Sequence, residues 1–382
     1  MLHNIEFSYK NINTGINIGL KSQERNLYFE NLHKFQNKYK SLISKEDNWD
    51  IIKKKYNRYE IIYKNSNNKN NITHKKVISR AYFKLNEIII KYNLLNNSTK
   101  NDEYLCLCEA PGGFIENLLY LNKYNLKKIH TMSIDGQTCP NYNLLKSTYT
   151  SEYINIIYGV DNTGDLYSID NIKSINNHLY DNKIQLITGD GGFDISNNYN
   201  NQEDSSFRLI LCECVCALTY NKIGGSFVVK IFDIFNQNTI ELLYIMSFFY
   251  DTIDIYKPCI SRICNSEKYL ICRNFKGIDK INLNKLHLII KLYDKINCKN
   301  ITFLDKIPDE FIDKIYQLSR SYVYNQCVNI LYIINIDSIL LNNNFIINKQ
   351  IYYGLKWCQA YNMNINYDSY YLRNYNKISQ CY

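Results

Sequence analysis

The chain has 382 residues, 46% hydrophobic and 21% charged, which excludes a small disulfide-stapled module and a wholly disordered polymer and leaves room for about two domains. Forty-five Lys and Arg against 36 Asp and Glu give a formal charge of +9, a surplus that favours an anionic partner and admits nucleic acid without establishing it. The 13 cysteines follow a start, Met1 to Glu6, that is neither basic nor apolar, so reduced thiols in an intracellular compartment, cytoplasmic or nuclear, are expected.

Residues 1–70 are polar and rich in Asn, Lys and Tyr, with Lys53-Lys54-Lys55 and the run Asn65 to Asn71 reading as a solvated linker. This N-terminal extension, a candidate for RNA or cap contacts, is expected to end near residue 71. From 71 to 277 short apolar runs alternate with helical periodicity, the pattern of a mainly parallel sheet flanked by helices. A helix at about Ser79–Leu95 carries Tyr82, Phe83, Leu85, Ile88, Ile89 and Tyr92 on one face. Seven strands are expected at about Tyr104–Cys108, Lys128–Ile134, Tyr153–Tyr158, Ile184–Thr188, Ser226–Phe232, Thr252–Tyr256 and Lys268–Cys272. Helices are expected at about Phe114–Tyr124, Ile169–Leu179, Ser206–Lys222 and Gln237–Tyr250. The fold class is therefore α/β, a Rossmann-like, doubly wound, mostly parallel sheet. Residues 278–382 read as a mostly helical accessory region (Glu310–Gln317, Ser319–Ile334) with a Tyr/Asn-rich tail. Its most apolar stretch, Cys327 to Leu341, is broken by Asn329, Asn335 and Asp337, so no membrane span is expected.

Chemistry gathers at the ends of the strands. The first runs into Cys108-Glu109-Ala110-Pro111-Gly112-Gly113-Phe114, where paired glycines let the backbone approach a ligand and aim free N–H groups at it. Neither a dinucleotide G-x-G-x-x-G nor a P-loop is present. Asp135 ends the second strand, where a carboxylate can hold a ribose hydroxyl pair, and Asp165 follows the third, within reach of an adenine amino group. Each also reads as a plain turn residue. The fourth strand ends in Asp190-Gly191-Gly192, small residues that leave room beside an acid. The fifth carries Lys230 within the apolar run Ser226–Phe232, a placement tolerable only at a polar cleft. A last segment brings Ser261, Arg262, Asn265 and Glu267 to the mouth of the final strand. Lys84, Asp190, Lys230 and Glu267 thus converge on one rim. An adjacent cation lowers a lysine's pKa while carboxylates orient it, so one amine is expected to act as a general base near neutral pH, a ribose hydroxyl being a natural target.

Five blocks in order carry a resemblance: Ser79-Arg80-Ala81-Tyr82-Phe83-Lys84-Leu85, Glu109 to Phe114, Gly189-Asp190-Gly191-Gly192-Phe193, Gly224 to Lys230 with Phe232-Asp233, and Lys257-Pro258 through Ser261-Arg262 to Asn265-Ser266-Glu267-Lys268-Tyr269. The region from about Ser79 to Phe275 resembles the FtsJ-type ribose 2'-O-methyltransferases, most closely the cap-specific mRNA enzymes of eukaryotes and large DNA viruses. The resemblance implies methyl transfer from S-adenosylmethionine to a 2'-hydroxyl by a Lys-Asp-Lys-Glu tetrad matching Lys84, Asp190, Lys230 and Glu267. Lys230 would be the base, Asp190 would orient it, and Lys84 and Glu267 would complete the charge network. It also implies a cofactor lying against Cys108, Glu109, Ala110, Pro111, Gly112, Gly113 and Phe114, with Ser79, Asp165 and Leu166 beside its amino acid or adenine. Asn201, Gln202, Ser261, Arg262 and Asn265 would line the groove for the capped mRNA 5' end. Relatives often have a small residue or Gly in place of Glu109. Other capping or transcription proteins would be further partners, and a viral source would move the chain to a viral factory or virion.

Cys212, Cys214 and Cys216 lie two apart on an expected helix and point away from one another, so packing thiols are expected rather than zinc ligands, and no metal is expected anywhere. Trp49, Trp357 and the many tyrosines are candidates for stacking on a methylated guanine. Two rival readings are an FtsJ-like enzyme of ribosomal or transfer RNA and a silent methyltransferase fold that binds RNA or scaffolds a capping complex. The intact tetrad argues against the second.

Overall fold

The computed structural model describes residues 6–13, 15–22, 29–96, 98–123, 125–134, 140–149, 152–180, 183–192, 201–295, 301–338 and 343–373. Its centre is one sheet of eight strands: β1 (Phe7–Tyr9), β2 (Glu103–Leu107), β3 (Lys128–Met132), β4 (Ile154–Ile157), β5 (Ile184–Gly189), β6 (Asn221–Ile231), β7 (Tyr250–Tyr256) and β8 (Lys268–Phe275). In space they run β1-β7-β8-β6-β5-β2-β3-β4. Strands β4, β3, β2, β5 and β6 are parallel, and β8, β7 and β1 add antiparallel pairings. The seven expected strands are present, and the chain order reverses beside β2, as in doubly wound folds whose ligands sit beyond the carboxyl ends.

Burial explains why these segments pair. All five residues of β2 are buried, as a parallel strand covered on both faces requires. Leu105 and Leu107 join one core cluster, while Tyr104 and Cys106 join another on the opposite face, the two-residue alternation of a strand. The helix Ala81–Tyr92 buries Tyr82, Phe83, Leu85, Ile88 and Ile89 and stops at Asn93, whose φ of 54° closes its carboxyl end.

The terminal segments depart from expectation. An eighth strand, β1, adds antiparallel to β7 with Phe7 and Tyr9 inward. Helices form at Glu30–Ile43 and Trp49–Lys55. Ile18, Phe29, Phe303 and Phe311 belong to the same core cluster as the sheet. The two helices expected near the C-terminus are one continuous helix, Asp309–Ser338, and part of the presumed tail is a helix, Asn343–Ala360. In the run Asn65 to Asn71, Asn65, Ser66, Asn67 and Lys69 are exposed, as a solvated linker requires, but Asn71 is fully buried: its Oδ1 accepts from Lys64 N at 2.7 Å while its amide donates to Asn65 O at 2.7 Å. Trp49 and Trp357 are buried, so neither presents a face for stacking; the Trp357 indole donates to Glu87 at 2.7 Å. Among the described residues, all ten cysteines are unbridged, and no helix is long and apolar enough to cross a membrane.

Candidate active site

The turn after β2 is built by backbone conformations that few residues adopt. Cys108 has φ 53° and Gly112 φ 114°, and Gly112 caps the helix Gly113–Leu121. A Cβ on Gly113 would lie 2.2 Å from Ser79 Oγ and 3.0 Å from Tyr82 N, so only glycine lets this helix approach the start of Ala81–Tyr92. Gly112 N donates to Glu109 O at 2.7 Å and Phe114 N to Glu109 Oε1 at 2.6 Å. The Glu109 carboxyl thereby accepts a hydrogen bond at the helix N-terminus. Ser79 Oγ and Glu109 Oε2 are buried without a hydrogen-bond partner. Ala110 and Pro111 are half-buried, and Phe114 is wholly in the core.

Across the rim, Asp190 follows the last residue of β5, Lys230 lies one residue before the end of β6, and Glu267 precedes β8. The register sets Lys230 opposite Tyr269. Lys230 Nζ donates to the Asp190 carbonyl at 2.7 Å and lies 3.2 Å from Asp190 Oδ1, which also accepts from Tyr269 OH at 2.8 Å. Lys84 Nζ donates to Glu267 Oε2 at 2.9 Å, and Ser261 Oγ donates to Glu267 Oε1. The Gly191-Gly192 pair makes room as anticipated: a Cβ on Gly192 would come 3.0 Å from Lys230 Nζ, and one on Gly191 would come 2.9 Å from Glu213 Oε1.

Burial pushes the Glu267 carboxyl up, but Lys84, Lys230 and the Ser261 hydroxyl outweigh it and hold its pKa at about 2. The expectation of a lowered Lys230 pKa is overturned. Burial pulls it down, but Asp190, Glu267 and Glu213 together pull it further up, and the net shift is upward. Lys84, the cation invoked to lower it, is itself paired with Glu267. Because Glu267 acts on both amines, the two ion pairs form one electrostatic unit.

A family model described as FtsJ-like methyltransferase matches residues 77–275 of this chain, just over half its length. The chain belongs to the FtsJ-like methyltransferase family. Among curated relatives, the mouse cap-specific mRNA (nucleoside-2'-O-)-methyltransferase 1 is 34% identical over 232 residues, 56% of this chain and 27% of that protein. The Caenorhabditis elegans protein of the same name is 29% identical over 258 residues, covering 66% and 26%. The cap-specific mRNA (nucleoside-2'-O-)-methyltransferase 2 of Pongo abelii is 30% identical over 257 residues, covering 63% and 33%. The chain thus spans about a quarter to a third of the length of these relatives. A solved structure described as a ribosomal RNA methyltransferase from Plasmodium falciparum is 26% identical, covering 52% of this chain and 99% of that one with a TM-score of 0.38.

For a methyltransferase of this family the donor is S-adenosylmethionine, and the residues present fit it. The glycine turn leads into the N-terminus of the helix Gly113–Leu121, and the partnerless Ser79 Oγ lies beside Gly113, polar features that suit the donor's amino-acid end. A Cβ on Gly164 would lie 2.0 Å from Ser133 O, so the loop after β4 rests on the end of β3 and brings Asp165 there. Asp165 Oδ1 accepts from Tyr167 N at 2.8 Å. The Leu166 side chain is buried in the core. Asp135 lies outside the described residues, as does Phe193.

The expected RNA-facing residues divide. Asn201 is exposed at the start of the helix Gln202–Tyr220, and Asn265 is exposed. Gln202 Oε1 accepts from Ser266 Oγ at 2.7 Å, tying that helix to the Glu267 loop. Ser261 is committed to Glu267, and Arg262 is committed to Glu60, donating through Nε at 3.1 Å and a terminal nitrogen at 2.7 Å. Beside Asn265 opens a cavity of about 660 Å³, lined among others by Tyr56, Arg58, Tyr59, Tyr322 and Tyr353. Sequence reasoning assigned no role to Tyr269 and missed Glu60 and Glu213. Tyr269 was detectable as the residue two places after Glu267, whereas nothing local marks Glu60 as the partner of an arginine 202 positions away.

Proposed function

We propose that this chain transfers a methyl group from S-adenosylmethionine to a ribose 2'-hydroxyl near the 5' end of a capped mRNA. The observation that carries this reading is the convergence of Lys84, Asp190, Lys230 and Glu267 in two interlocked ion pairs on the rim beside a glycine-lined turn. The names of the curated relatives support the capped mRNA as substrate. In this reading residues 71–277 are the methyltransferase domain, and 1–70 and 278–382 are flanking segments, of which Ile18, Phe29, Phe303 and Phe311 pack into the core beside the sheet. The substrate's place of processing, nucleus or cytoplasm, would be the place of action.

When bound, the donor supplies a sulfonium methyl that leaves as its sulfur becomes a neutral thioether. The chain's own residues do the rest. Asp190 holds Lys230 Nζ through its backbone carbonyl and its carboxylate, and Tyr269 fixes that carboxylate. Lys230 rests as an ammonium, so it gives up one proton to solvent before it accepts that of the ribose hydroxyl. Lys84 neutralises Glu267, and Ser261 fixes the second oxygen of Glu267. Ser79, Gly112 and Gly113 shape the donor's seat, Asp165 stands at its adenine end, and Asn201, Gln202 and Asn265 border the RNA.

The test compares otherwise identical RNAs with and without a methylated guanosine cap, using a tritiated methyl donor. Labelling restricted to the capped transcript supports the proposal. Equal labelling moves the substrate to RNA in general, and no labelling of either refutes methyl transfer to RNA.

A further inference from the structure

Glu109 is the residue of the cofactor turn for which the proposed mechanism has no use, and its surroundings are unusual. The side chain is 3% exposed. One oxygen caps the Gly113–Leu121 helix through Phe114 N, and the other, Oε2, has no partner. Buried carboxyl oxygens are rarely left so, because an unmade hydrogen bond costs on the order of 1–3 kcal/mol. Groups on every neighbouring element act on it: Asp190 after β5, Lys230 on β6, Lys84 on its helix, Tyr269 on β8, Cys106 on β2 and Tyr142 before the helix Asn143–Thr148. Glu109 is therefore a fifth ionisable group of the tetrad, buried beneath the turn that seats the donor.

Resting on the methyltransferase reading, we propose that Glu109 is a positioning residue that compensates the positive charge of the sulfonium donor and so makes the turn favour donor over thioether product. Burial pushes its carboxyl well above the ordinary range, and the Asp190 carboxylate adds to this. The Phe114 N–H and the Lys230 and Lys84 amines oppose the rise without cancelling it. The balance favours the neutral form of the resting group. Arrival of a cation stabilises its ionised form, and the proton leaves to solvent. Once the methyl has gone to oxygen and the C–S electron pair has stayed on sulfur, the cation is lost and the carboxyl takes a proton back from solvent.

Titration calorimetry of the whole chain with S-adenosylmethionine and with S-adenosylhomocysteine, in buffers of different ionisation enthalpy, reads that proton directly. The expected result at pH 7 is release of a substantial fraction of one proton per donor bound, beyond any release with the thioether. In Glu109→Gln, which keeps an acceptor for Phe114 N, that difference should vanish and the donor-to-product affinity ratio should fall about tenfold. A merely structural role would lower both affinities alike. Equal proton release for both ligands in the unmodified chain, or an unchanged affinity ratio in the variant, overturns the inference while leaving the methyltransferase reading intact. Binding of neither ligand overturns both.

Discussion

Glu267→Gln separates the two ion pairs of the site while keeping its shape. Glu267 falls from an ordinary 4.5 to about 2 because Lys84, Lys230 and Ser261 favour its charged form over the cost of burial. At 1.36 kcal/mol per pH unit this amounts to about 3 kcal/mol of preference for the ionised carboxylate. Its pKa is depressed by folding, so this stability is fully present above pH 4.5 and is lost as pH falls from there toward about 2. The variant should therefore unfold more easily than the original chain at pH 7, with a gap that narrows below pH 4. The same carboxylate is one of the groups that raise Lys230. Removing it should move the titration of Lys230 toward neutrality, because a nearby carboxylate favours the charged form of the amine. Rate against pH, with tritiated donor and saturating RNA, should rise with pH as Lys230 loses its proton, and the rise should begin at lower pH in the variant. A pH profile of unchanged position, in a variant whose stability has dropped as described, refutes the coupling of the two pairs.

Lys230→Met should lower the methyl transfer rate at least a thousandfold and leave donor affinity within a few-fold, since a general base need not hold the donor; rate and calorimetric binding measured on one preparation check this. Gly113→Ala puts a Cβ 2.2 Å from Ser79 Oγ, and should weaken donor binding more than tenfold and lower the melting temperature by several degrees, as read by thermal shift with and without donor. Lys40→Met leaves the buried Asp233, which Lys40 meets at 2.9 Å, short of its nearest cation. Chemical unfolding should report a loss of about 3–5 kcal/mol.

The strands and the meeting of Lys84, Asp190, Lys230 and Glu267 at one rim were legible because strand ends are written in local pattern. Apolar runs of strand length sit between turn residues, and a lysine within Ser226–Phe232 has few places to go. The N-terminal helix was not legible, for a physical reason. Glu30–Ile43 buries Gln36 and Lys40, polar residues that look solvated until Asp233 and Gln326 meet them: Gln36 amide to Asp233 at 3.0 Å and to Gln326 at 2.8 Å. A buried network whose members are some 200 to 300 positions apart leaves no periodic trace. Strand β1 is three residues long, too short for alternation to speak. Asn343–Ala360 was hidden by its Asn and Tyr content, although Ile346, Ile351, Trp357 and Cys358 turn inward. Arg262 has a partner the sequence hid. Its place in a motif suggested RNA, and Glu60, from a segment with no visible role, holds it bidentately. The direction of the Lys230 shift could not be read from the sequence either, since it depends on how Asp190, Glu267 and Glu213 are shared between two amines.

The central claim, that these four side chains direct a methyl group to a ribose oxygen, is tested most directly by mapping the labelled atom. Capped RNA treated with tritiated donor and digested with a nuclease that requires a free 2'-hydroxyl should yield label only in a resistant dinucleotide, and Lys230→Met should yield none. Label released in mononucleotides, or a resistant dinucleotide undiminished by Lys230→Met, would contradict it.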